Sequence, residues 1–200
     1  MNQLRNVLFL GLMVALAACS GNSKKVVVMS SGKMQVDRRS NTITLDPGTQ
    51  HNEEVLDLGG SGVSNITVKT SDDEKNIEVP GKGLYVLNLK QNDTLVGGLV
   101  NYGAGAARER ISDRELTQII DSTRKLILGY GASDETKTYF ILPFTVKKIS
   151  DNLKATVVGP YNSLPYQVTG GDDGQAPEVY KLYTNKQQRE SLLDLFRRMK

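Results

Sequence analysis

The chain has 200 residues, 38% of them hydrophobic and 24% charged, an ordinary globular make-up with room for one domain or two small ones. Its 25 basic and 22 acidic side chains leave a formal charge of +3, a balance that carries no footprint for nucleic acid. One cysteine, one histidine and no tryptophan exclude an internal disulfide, a nucleophile–imidazole pair built on a free thiol, and a zinc site made of several His and Cys.

In chain order, Met1 to Asn6 is short and polar with one positive charge at Arg5, and Val7 to Ala18 is an almost unbroken apolar run. This reads as the n-region and h-region of a secretory signal, too short to be a transmembrane helix, and no later stretch approaches the ~20 apolar residues that span a bilayer. The run ends Leu16-Ala17-Ala18-Cys19. That tetrapeptide resembles the lipobox of bacterial lipoproteins at all four positions. The resemblance implies diacylglycerol on the Cys19 sulfur, cleavage before Cys19 and acylation of the new amino terminus. Small residues before the cut suit a peptidase, and a thiolate is the best nucleophile available to take up lipid. Acyl chains worth about 0.8 kcal/mol per buried CH2 make such an anchor effectively permanent. Ser20, where an aspartate would hold a lipoprotein in the inner membrane, favours the outer membrane.

Ser20 to Lys25 is small and polar, a tether between lipid and fold. Val26 to Met29 reads as a first strand. Thr42 to Leu45 alternates and is expected to stop at a turn, Asp46-Pro47-Gly48, before a strand at Val55 to Leu58. Further strands are predicted around Ile66 to Thr70 and Ile77 to Val79. The clearest predicted hairpin joins Leu84–Leu89 to Thr94–Tyr102 through Gln91-Asn92-Asp93, because Asn and Asp tolerate left-handed φ. Short strands at this spacing predict a small sandwich-like part over 26–102.

Gly103 to Ala107 reads as a linker. A helix is expected over about 112–129, with Ser112 and Glu115 as a capping box and Leu116, Ile119, Ile120, Thr123, Leu126 and Ile127 on one face. Gly129 lies where a left-handed C-terminal residue belongs. Strands are predicted again at Thr138–Leu142, Phe144–Ile149, Ala155–Val158 and Val179–Tyr183. A last helix, about 185–200, has Thr184 and Gln187 as a capping box and Leu192, Leu193, Phe196 and Met199 as its apolar stripe. The expected class is therefore α+β, mainly antiparallel β with two helices. The expected organisation is a signal peptide at 1–18, a lipidated tether at 19–25, a β-rich domain at 26–102 and an α+β domain at 108–200.

Candidate chemistry is sparse. His51 stands alone and is expected in an exposed turn. Gly103-x-Gly105-x-x-Arg108 lacks the third glycine of a dinucleotide fingerprint and reads as a hinge. The acidic clusters Asp72-Asp73-Glu74 and Asp172-Asp173 lack the spacing of a calcium loop and read as solvated turns. Tyr161, Tyr166, Tyr180 and Tyr183 could form a small patch. Asp93-Thr94-Leu95 and Asp121-Ser122-Thr123 resemble the O-glycosylation pattern of some exported bacterial proteins, and Thr94, at a hairpin tip, is the better acceptor. No catalytic residue, metal ligand or cofactor is assigned.

The expected function is that of a lipid-anchored envelope protein, a non-enzymatic binding or assembly module. Its partners are the membrane, through the lipid, and an envelope protein docked on Leu192, Leu193, Phe196 and Met199. In outline it is similar to small β-sandwich lipoproteins that form outer-membrane collars of secretion machines. The alternatives are a surface glycan-binding or hydrolytic lipoprotein, acting through carboxylates and tyrosines, and a sensor that presents the last helix to a regulator.

Overall fold

The computed structural model describes residues 23–60, 62–100, 113–165 and 177–198. Six strands form a first sheet: β1 (Lys24–Asp37), β2 (Thr42–Leu58), β3 (Ser64–Lys69), β4 (Glu74–Val79), β5 (Gly83–Leu89) and β8 (Thr145–Ser150). Their order is β4-β3-β2-β1-β5-β8, antiparallel except for the β1–β5 and β2–β3 pairs. A second sheet has the order β7-β6-β10-β9, from β6 (Leu95–Leu99), β7 (Thr138–Ile141), β9 (Thr156–Val158) and β10 (Val179–Thr184). Two helices, α1 (Asp113–Ile127) and α2 (Asn185–Arg198), complete the chain. The fold is α+β and mainly β, with antiparallel-rich sheets, as expected.

Burial explains the layering. Val26 and Val28 of β1 join Tyr85, Leu87 and Leu89 of β5 in one core cluster, while Val27, Met29, Leu84 and Val86 point into another. The apolar runs Val26–Met29 and Leu84–Leu89 lack alternation because both faces of these central strands are covered. The first cluster is drawn from the first sheet alone, which rolls until its edge strands β4 and β8 touch. Lys75 of β4 lies 4.5 Å above the ring of Phe144, just ahead of β8, across that seam. The second cluster joins the outer face of β1 and β5 to Leu95, Tyr139, Ile141, Tyr180 and Leu182 of the second sheet. The helices take the other face of the second sheet, where the end of α1 meets the Phe140 ring. No helix among the described residues is long and apolar enough to cross a membrane.

The roll starts at a corner. Asp46-Pro47-Gly48 does not end a strand as expected. It forms part of a bulge inside β2: Ser31 pairs with His51 and Lys33 with Asp46, so Pro47 to Gln50 stand opposite Gly32 alone. Gly32 has φ +84°, and a Cβ there would lie 2.1 Å from the Asp46 carbonyl oxygen, so only glycine fits. Asn52 ties the corner by donating from Nδ2 to the Gly32 carbonyl. Beyond it the β1–β2 hairpin folds back on its own base. Arg38, in the connecting turn, donates to the Val55 carbonyl at 2.9 Å and to Glu54 Oε1 at 3.1 Å. Proline is tolerated because a bulged residue owes the ladder no N–H.

The expected 84–102 hairpin is absent. β5 belongs to the first sheet and β6 to the second, and Gln91-Asn92-Asp93 carries the chain between them. Fully buried Asn88 fixes this crossover: its Nδ2 donates to the Asp93 and Ile141 carbonyls at 3.0 and 2.9 Å, and its Oδ1 accepts from Lys90 N at 3.0 Å. A two-stranded hairpin covers one face of a strand, whereas all seven residues of β5 are buried and need layers on both sides. The pairing also crosses the expected division between 26–102 and 108–200, since β8 joins β5 and β6 joins β7 and β10.

Helix ends follow local chemistry. The N–H groups of Gly129 and Tyr130 donate to the Leu126 and Lys125 carbonyls at 3.0 and 2.8 Å, a Schellman pair with Gly129 at φ +82°. Thr184 Oγ1 accepts from Gln187 N at 3.0 Å and caps α2, which is one half of the predicted box; Gln187 Oε1 is buried without a hydrogen-bond partner and does not complete it. Asn185 then couples the helices, its Nδ2 donating to the Ile127 carbonyl at the end of α1 at 2.7 Å.

Candidate functional site

The two sheets enclose an apolar interface with a polar cluster at each end. Near the start of β1, Glu178 gathers three donors. Lys137 Nζ reaches Oε1 at 2.8 Å, the Tyr180 hydroxyl donates to the same oxygen, and Ser150 Oγ donates to Oε2 at 2.7 Å. Burial alone would raise the Glu178 pKa, but the three donors together hold it below its ordinary 4.5. Burial, helped by the neighbouring Glu178 charge, pushes the Tyr180 hydroxyl up, and burial takes Tyr139 up to about 12. The rings of these tyrosines meet edge to face at 5.9 Å, and the Tyr139 hydroxyl donates to the Ile149 carbonyl at 2.8 Å. The cluster borders a concave surface of about 480 Å³ lined in part by Asp134, Lys148, Asp151 and Asn152. Its carboxylates are engaged: Asp134 with Lys147 at 2.9 Å, Asp151 with Lys148 at 2.5 Å, and Glu178 as described.

The second cluster lies beyond Met29, which pairs with Glu53. His51 is not in an exposed turn. It sits in β2 with a side chain only 14% exposed, its Nε2 2.5 Å from Glu53 Oε1 and its ring edge-on to Tyr161 at 5.5 Å. The β1 partner and the 159–162 segment cover it, an environment set by residues far away in sequence. Glu53 Oε1 also accepts from Asn162 Nδ2 at 3.0 Å. Buried Lys181 donates to the Gly159 and Asn162 carbonyls at 2.6 and 2.7 Å and lies 4.7 Å from the Tyr183 ring. Buried Lys90 donates to the Ser30 carbonyl at 3.2 Å. Burial lowers the pKa of both lysines, and the Glu53 charge works against that. Gly159 packs so closely that a Cβ would lie 1.8 Å from Glu53 Oε1. Nearby, Tyr161 has φ +69° and is 64% exposed.

The remaining sequence candidates are dispersed. Cys19, Ser112, Gly103 to Arg108, Tyr166, Asp172, Asp173 and Met199 lie outside the described residues. Thr94 is half-buried, and its carbonyl accepts from Asn185 N at 2.8 Å, so the 91–94 segment is docked against the start of α2. Asp72 and Asp73 lie in the β3–β4 turn and Glu74 begins β4; the Asp73 carbonyl accepts from Thr70 N at 2.8 Å. Tyr180 faces the second core cluster, Tyr183 the opposite side of β10 and Tyr161 the solvent, so these three form no patch. On α2, Leu192 is half-buried while Leu193 and Phe196 are 56% and 46% exposed.

Sequence reasoning missed the buried lysines. Lys24 is fully buried, its Nζ donating to the Gly60 carbonyl at 3.0 Å and Ser64 Oγ at 2.8 Å. A signal did exist for Lys181, the lone charge inside the run Val179–Tyr183, and for Lys90, directly behind Leu84–Leu89. Among the described residues no group of three or more His, Cys, Asp or Glu is placed to hold a metal ion. No protein-family model matches the chain, and neither a curated protein nor a solved structure does.

Proposed function

We propose that the chain is a lipid-anchored protein of the cell envelope, on the outer membrane, and acts as a non-enzymatic binding or assembly module, a component of an outer-membrane or secretion-type complex. The observation that carries this reading is the Leu16-Ala17-Ala18-Cys19 sequence, followed after a short polar tether by a fold that begins at Lys24. The half-exposed Leu193 and Phe196 on α2 supply an apolar surface for a protein partner. In detergent extracts of native membranes the protein should co-purify with a stoichiometric partner. Phe196→Ser should lose that partner while the folded chain persists. A solitary monomer in native membranes, or a Cys19→Ser protein that still partitions as an embedded component, would overturn the reading.

The concavity beside Glu178 is the observation that favours the second reading, a glycan-binding or hydrolytic surface lipoprotein. Saturable binding of a defined oligosaccharide, abolished by Glu178→Gln, would move the assignment there.

A further inference from the structure

We propose that the end of the rolled sheet at which β1 begins rests on the bilayer surface, with the loop around Val63 at the contact. The inference deepens the reading above and rests on the lipid at Cys19. It adds which end of the molecule meets the membrane and through which residues. Cys19 to Ser23 is five residues, which even fully extended span roughly 18 Å. The chain enters the fold at Lys24 without slack. Lys24 Nζ is bound to the Gly60 carbonyl and Ser64 Oγ, and Lys25 Nζ donates to the Leu153 carbonyl at 3.2 Å. The two lysines therefore pin the start of β1 to loops on both faces of the first sheet.

Three loops converge on that end. Lys24 pairs with Leu58, the last residue of β2, and with Gly83, the first of β5. Ser150, the last residue of β8, pairs with Leu84 beside it. Gly59, Gly60, Gly62 and Val63, together with the segments 80–82 and 151–154, must consequently share one rim. Val63 is 61% exposed and follows a run of glycines and serine, so no bulky charged side chain in its own loop separates it from a surface. Exposed Lys82 lies in the neighbouring loop, and the carboxylate of Asp151 in the third is paired with Lys148. A small apolar tip beside a cation suits the headgroup layer of an anionic membrane. β5 runs away from this rim, so the 91–93 crossover and Asn92 lie at the opposite end.

The test uses the full lipidated protein, in which acylated Cys19 leaves an introduced thiol as the only labelling site. Val63→Cys and Asn92→Cys are labelled with an environment-sensitive fluorophore. Each is reconstituted in phosphatidylethanolamine–phosphatidylglycerol vesicles containing a lipid spin-labelled at the headgroup. Quenching at position 63 should exceed that at position 92 several-fold. Equal quenching, or stronger quenching at 92, overturns the inference. Intact mass distinguishes the two levels: an unlipidated Cys19 removes the anchor and this inference together, while a lipidated protein with equal quenching removes this inference alone.

Discussion

Glu178 is a carboxylate taken largely out of water and yet easier to ionise than a free glutamate, because Lys137, Tyr180 and Ser150 all donate to it. Its folded pKa lies below 4.5, so the unfolded chain binds the proton more readily as pH falls. The stabilisation is complete above pH 4.5 and disappears as pH drops through the folded value. Urea midpoints measured against pH should fall on that acid limb, and Glu178→Gln should flatten the fall while lowering the neutral plateau. Gly32 governs a different residue-scale outcome. Gly32→Ala places a methyl group against the Asp46 carbonyl in a left-handed backbone, and should destabilise by roughly 3 kcal/mol or more. Equilibrium unfolding followed by circular dichroism measures it, and a loss under about 1 kcal/mol would show that the corner relaxes freely.

At the scale of elements, the helices depend on each other through Asn185. Its amide fills the carbonyl left open at Ile127, its Oδ1 accepts from Arg189 Nε at 2.8 Å, and its backbone N–H reaches the Thr94 carbonyl. Asn185→Ala keeps the backbone bond and loses both side-chain bonds. It should cost about 1–2 kcal/mol and loosen the end of α1 as well as the start of α2. Hydrogen exchange should then rise at Ile127 to Tyr130, where the Schellman pair closes α1; a rise confined to α2 would separate the helices energetically.

For the whole molecule, the sharing of strands sets cooperativity. β1 and β5 bury Val27, Met29, Leu84 and Val86 against a second sheet made from residues beyond Thr94, and β8 covers the open edge of β5. A chain ending at residue 102 would expose that apolar face and that edge together. Expressed alone, residues 19–102 should bind hydrophobic dyes and self-associate in gel filtration, whereas the full chain unfolds in one transition. A monomeric, sharply melting 19–102 fragment would mean that the rolled sheet is sufficient without its second layer.

Properties of local origin were settled by the sequence alone. These include the Thr184 cap of α2, the left-handed Gly129, the extent of both helices to within two residues over their described parts, and the mainly β character of the rest. Each depends on neighbours two to five residues apart, the range over which strand alternation, helical periodicity and helix-end hydrogen bonds act. Only the tertiary structure decided that Asp46 to Gln50 is a corner within one strand and that Gln91 to Asp93 joins two sheets. It alone brought the half-buried His51 and Glu53 near buried Lys181. Those outcomes turn on what covers a strand's second face and on partners such as Gly32, Ile141 and Asn162, which are brought close by packing and not by the covalent chain.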